Sequence, residues 1–334
     1  MSDTSRELVH QTLTFASPAR IPRQLWVLGW AALHYPEELA RIQERFPDDL
    51  VTAPAFYREP LKIEGDAYRP GTFVDEWGCM FENRQRGIIG EVKEPLLRKW
   101  KDWNKVRIPR ERLSVDARKV NEFCRKTEKF VLAGGAVKPF EQLQFIRGPA
   151  NLYMDLAERP EELFLFMERM HQFYREELEL WASTEVDALF FADDWGSQNS
   201  LLISPGLWRQ MFKPLYKDYI DIAHDHGKFA FMHTDGYVVD ILPDLIDLGL
   251  DALNAQLFCM DIEDLGNRFA GEIVFWGEID RQYLLPFGTP EEVRAAVRRV
   301  KAALFRNGGV IGQCEFSIGA RPENVTAVFE AWEE

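Results

Sequence analysis

The feature that most restricts the fold is a rhythm. From about residue 116 onward, short and nearly all-apolar runs alternate with longer amphipathic ones. KFVLAGGA (129–136), DALFFADD (187–194), KFAFMH (228–233), DALNAQL (251–257), EIVFWGEID (272–280) and GVIGQCEF (309–316) read as strands, and QLWVLGW (24–30) as an earlier one. Helical patterns lie at 116–127, near 150–158, at 164–184, from Pro205 to about His226, and at 238–249, 290–308 and 322–334. Strands without in-and-out alternation are covered on both faces, and strands separated by helices run parallel. Roughly seven or eight such units predict a (β/α)8 TIM barrel, with a doubly wound open sheet as the alternative. No GxGxxG follows a strand, which weakens a dinucleotide-binding reading.

Residues 50–115 break the rhythm. DEWGCMF (75–81), GEVKEPLL (90–97) and WKDWNKVRIP (100–109) are irregular and rich in Trp, Pro and charge. They predict an N-terminal excursion that covers the barrel mouth, and the 334 residues then read as a single domain.

The formal charge of −14 argues against nucleic acid as a partner and against an anionic membrane surface. Four scattered cysteines are not a disulfide framework. No N-terminal apolar signal core is present, and no run approaches the roughly 20 residues a membrane span needs. The expectation is a cytoplasmic protein.

Parallel barrels gather their chemistry at the C-terminal ends of the strands. Those ends carry Asp193 and Asp194, His233 and Asp235, Asn254 and Gln256, Glu278 and Asp280, and Cys314 with Glu315. Zinc takes imidazole, thiolate and carboxylate, and a catalytic zinc keeps about three protein ligands. His233, Asp235, Glu278 and Cys314 form a candidate metal set of that type. In FAFMHTDGYV (229–238), Gly236 permits the turn that would let His233 and Asp235 converge. The competing reading makes His233 an ordinary polar strand exit and Cys314 a small buried hydrophobe. Asp193 and Asp194 are candidate catalytic acids or bases, with turn capping as the competing reading. Trp77 and Trp195 could wall a pocket for a flat substrate, or belong to the core. Arg147 could meet a substrate carboxylate or form a salt bridge. Asn254 and Tyr283 complete the candidate substrate contacts.

The string DDWGSQNSLLISPGLWRQMFKPLYKDYIDIAHDHGKFAFMHTDG (193–236) resembles the uroporphyrinogen decarboxylase superfamily, most of all its corrinoid-dependent methyltransferase-like branch. DEWGCMFENRQRGIIGEVKEP (75–95), FWGEIDRQYLLPFGTPEEV (275–293) and GGVIGQCEFSIGARPENV (308–325) fit the same pattern. The resemblance runs from about residue 70 to the end and implies a distorted (β/α)8 barrel. The decarboxylases' Arg-Gln-Ala-Gly-Arg-Tyr motif is only partly met by IPRQLWVLGW (21–30), where Arg23-Gln24 remains and the rest is absent. The resemblance therefore implies methyl transfer rather than porphyrinogen decarboxylation. It carries a His-x-Cys plus distant Cys zinc site onto His233 and Cys314, with Asp235 in the middle position and Glu278 as its possible replacement. The implied cofactors are Zn2+ and a corrinoid (cobalamin) on a partner protein, and the implied substrate is a small methoxylated or methylated compound, aromatic by preference, that is O-demethylated. The alternatives are a metal-free decarboxylase or lyase and a non-catalytic corrinoid- or tetrapyrrole-binding protein. Oligomeric state is open, with a homodimer conceivable.

Overall fold

The structure is a computed structural model that describes residues 3–334. Eleven strands are present among them: β1 Arg23–Val27, β2 Leu50–Thr52, β3 Gly71–Val74, β4 Met80–Asn83, β5 Glu91–Val92, β6 Phe130–Val137, β7 Ala188–Ala192, β8 Phe229–Thr234, β9 Ala252–Ala255, β10 Val274–Trp276 and β11 Val310–Phe316. Eight form one all-parallel sheet in the order β1-β11-β10-β9-β8-β7-β6-β2. Helices separate them, as the rhythm requires, so the sheet curls into a nearly closed (β/α)8 barrel.

The two end strands, β1 and β2, are joined mainly through side chains rather than a full ladder. Asp49 N–H donates to the Arg23 carbonyl at 2.9 Å. The Asp49 carboxylate accepts from Arg23 N–H at 2.9 Å, and the Asp48 carboxylate accepts from Leu25 N–H at 2.7 Å. Arg20 grips both Asp49 oxygens at 2.6 Å.

Side-chain alternation sorts every barrel strand into an inner and an outer face. On β8, Phe229 and Phe231 pack inside the barrel, while Ala230 and Met232 face the helices. On β11, Ile311 lies inside, while Val310, Cys314 and Phe316 lie in the outer layer. A Cβ at Gly312 would stand 2.9 Å from Trp332 of the closing helix, so position 312 faces outward, and 314 shares its face. The N-terminal helix Ser5–Leu13 closes the floor, with Val9 and Leu13 in the inner cluster.

The excursion is more ordered than its sequence implies. Strands β3, β4 and β5 form a small antiparallel sheet, and two 3-10 turns follow at Trp100–Lys105 and Arg110–Ser114. Arg147 ends a helix that the rhythm did not reveal, Pro139–Arg147. The expected helix from Pro205 to His226 divides at Phe212 into Pro205–Met211 and Lys213–Asp225. No helix among the described residues is long and apolar enough to cross a membrane.

Candidate metal centre

Three donors converge where β7 and β8 end. Inward parity delivers His233, the fifth residue of β8, into the mouth. The chain then turns at Gly236 (φ 79°), where the backbone of Gly196 approaches so closely that a Cβ would overlap it. That turn brings Asp235 back beside His233. Asp194 follows β7, and its Oδ1 accepts from Asp235 N–H at 3.0 Å. His233 Nε2 lies 3.6 Å from Asp194 Oδ1 and 3.7 Å from Asp235 Oδ1. One donor atom from each residue lies within 4.8 Å of the others.

The protonation pattern follows from the supports. Asn254 Nδ2 donates to the Trp276 carbonyl, which leaves its Oδ1 turned to His233 Nδ1 at 2.6 Å. Nδ1 must then carry the hydrogen, and Nε2 presents a lone pair toward two carboxylates. Asp235 Oδ1 is buried with no hydrogen-bond partner. Burial, then repulsion from Asp235, raises the pKa of Asp194 above the usual carboxylate value. One imidazole nitrogen and two carboxylate oxygens facing one point, at separations too long for hydrogen bonds, fit a divalent cation that accepts N/O ligands, zinc included.

Beside the donors opens a cavity of about 730 Å³, a size suited to a small molecule. Gln144 and Phe145 of helix Pro139–Arg147, Leu202, Gln256 and Arg281 line it, and Gly90–Val92 of the excursion form one wall.

Other expected residues stand elsewhere. Cys314 is fully buried on the outer face of β11, and burial pushes its thiol well above the usual value. It does not join the donor cluster; Glu315, one residue on, faces the mouth instead. Glu278 is nearly buried and pairs with Arg281 Nε at 3.3 Å rather than with His233. Burial raises its pKa well above normal. Asp193 caps the helix at Pro139: its carboxylate takes Phe140 N–H at 2.9 Å, Glu141 N–H at 2.7 Å and the Tyr216 hydroxyl at 2.7 Å. Burial nonetheless pushes it to about 8. It does not line the cavity.

Trp77 is core, packed on Phe173 and Tyr174. Trp195 is also core, stacked 4.4 Å from Phe140. Both are aromatic because helices must cover the sheet, and neither walls the cavity. Arg147 is committed to Asp155 at 2.6 Å and to the Leu97 and Arg98 carbonyls, and it does not line the cavity. Tyr283 is exposed and borders a small side pocket. Asn254 is bonded to His233 and does not line the cavity.

Sequence reasoning missed Arg281, which sits among Asp235, Glu278 and Glu315. Its i,i+3 spacing from Glu278 was the available signal.

The family model described as uroporphyrinogen decarboxylase (URO-D) matches residues 73–334. Among solved structures, a methyltransferase from Methanosarcina mazei superposes with a TM-score of 0.68 at 16% identity, covering 99% of this chain and 98% of that one. A 3-keto-D-glucoside 4-epimerase from E. coli gives 0.40 at 14% identity, covering 70% of this chain and 92% of its own. An endo-beta-1,4-xylanase from Gloeophyllum trabeum gives 0.45 at 10% identity, covering all of both chains. No curated protein matches by sequence.

Proposed function

The chain belongs to the uroporphyrinogen decarboxylase family, and from that premise we propose that it is a metal-assisted methyltransferase. It would move a methyl group from a small methoxylated compound to the cobalt of a corrinoid held on a partner protein. The observation that carries this reading is His233 Nε2, presented as a lone pair to Asp194 Oδ1 and Asp235 Oδ1 beside the cavity. The similarity to a methyltransferase across nearly the whole chain supports the choice within the family, as a likeness of fold.

In this reading His233, Asp194 and Asp235 hold the ion. A bound zinc supplies Lewis acidity toward the oxygen that loses its methyl group. Asn254 fixes the imidazole tautomer. Phe145 and Leu202 receive the apolar part of the substrate, and Gln144 and Gln256 orient its polar groups. Glu141, on the cavity wall and 2.8 Å from Lys138, is a carboxylate outside the donor set and can accept a hydrogen bond from a polar group of the substrate. The wall at Gly90–Val92 and a partner seated over the mouth exclude water. Cys314 takes no part.

The test is metal content and turnover in parallel. Wild type is expected to hold about one equivalent of zinc. H233A and D194A lose it, C314A keeps it, and methyl transfer from a methoxyaromatic to cob(I)alamin follows the metal. Loss of zinc in C314A with retention in D194A would overturn the ligand set. Carbon dioxide release from a small carboxylate by metal-free protein would replace the reading with a decarboxylase. Corrinoid binding without turnover would replace it with a carrier.

A further inference from the structure

Each donor in the cluster has its own support. Asn254 holds His233, and the Asp235 N–H holds Asp194 Oδ1. The support for Asp235 is a side chain from a different strand end. Arg281 Nη2 donates to Asp235 Oδ2. Its Nε lies 3.3 Å from Glu278 Oε1 and its Nη1 3.0 Å from Glu315 Oε1. One guanidinium therefore ties together three strand ends, those of the adjacent β10 and β11 and that of β8, one strand further round. Its planar fork holds three carboxylates in fixed directions, whereas an ammonium is a compact point charge whose three donors rotate.

We propose that Arg281 is the positioning residue for Asp235: by occupying Oδ2 it turns Oδ1 toward His233 and Asp194. This rests on the metal reading above. The argument is geometric. Asp235 Oδ1 is buried and has no hydrogen-bond partner, although His233 Nε2 and Asp194 Oδ1 face it. A carboxylate left to itself would rotate to relieve that contact with another anion. The bond from Arg281 to the opposite oxygen opposes the rotation. Arg281 also offsets Glu278 and Glu315, so it can fix Asp235 without the three acids driving the mouth apart. With three acids around it, Arg281 is not free to anchor a substrate carboxylate.

Zinc titration against a competing chelator tests this directly, with near-UV circular dichroism as the check on folding. R281M is expected to bind zinc on the order of 10- to 100-fold more weakly than wild type. Cobalt(II) in place of zinc is expected to show an altered visible spectrum in R281M. Removal of the charge leaves three acids unpaired and could unfold the chain, so R281K serves as the second variant. It keeps the charge, loses the fork, and is expected to fall between R281M and wild type.

Because Arg281 acts through Asp235, R281K added to D235A should change zinc affinity by less than about twofold. Zinc binding by R281K and folded R281M within about twofold of wild type would overturn the proposal while leaving the metal reading intact. Equal weakening by R281K in wild-type and D235A backgrounds would also overturn it, since the effect would not pass through Asp235. Absence of zinc binding in wild type would instead remove the metal reading, and this inference with it.

Discussion

The chemistry of the mouth turns on which atom of each side chain is free. His233 presents Nε2 because Asn254 occupies Nδ1. Replacing Asn254 with Ala should release the ring and allow the other tautomer. The expected result is zinc affinity lowered on the order of 10- to 100-fold, with about 1–3 kcal/mol of stability lost because the buried Trp276 carbonyl is left unpaired, read by chelator competition and thermal scanning. His233 and Asp235 could be found in the sequence because an apolar strand ended abruptly on them. Cys314 stands apart from these donors for a physical reason. In a strand buried on both faces, inner and outer positions look alike, so the sequence does not reveal parity. The closeness of Gly312 to Trp332 fixes it, and that puts the thiol outside and Glu315 inside. Asp193 and Asp194 pose the same ambiguity: adjacent and identical in type, one caps a helix and the other faces the cavity.

Among elements, the turn after β8 decides whether the donors meet. Gly236 has φ 79°, and a Cβ there would come within 2.3 Å of the Gly196 backbone. Gly236→Ala should therefore cost about 2–4 kcal/mol, from the left-handed backbone and the overlap together. Urea denaturation checks the stability, and metal loss should accompany it because Asp235 moves with the turn. The long helices and the six later barrel strands were legible from periodicity. Strand β2, three residues long, was not, because so short a run carries no pattern. Helix Pro139–Arg147 was missed because buried residues occupy most of its circumference, so its amphipathic stripe is faint. The small sheet β3-β4-β5 was hidden because its strands are mostly exposed and two to four residues long.

The whole barrel depends on how its two end strands meet. Asp48 lies at that junction, and burial pushes its carboxyl up to about 6 from an ordinary 3.8. A folded-state value above the unfolded one means the folded chain binds the proton more tightly. Asp48 therefore subtracts stability as pH rises from about 4 to about 6, and the loss is complete above that. Asp48→Asn keeps an oxygen for Leu25 N–H and does not titrate. It should be more stable than wild type by about 1–2 kcal/mol at pH 7.5, after allowance for the water that still reaches the group, and nearly equal at pH 4. Denaturant melts of both proteins at the two pH values measure the difference.

Around the ring, the junction of β1 and β2 stands across from the contact between β8 and β9, where His233 meets Asn254. Backbone amides at the junction, held largely by carboxylates, should exchange with deuterated solvent sooner than those of the continuous ladders. The barrel then has a compliant side and a stiff side. On that expectation the junction takes up thermal breathing, and the donors lie across the hoop from it.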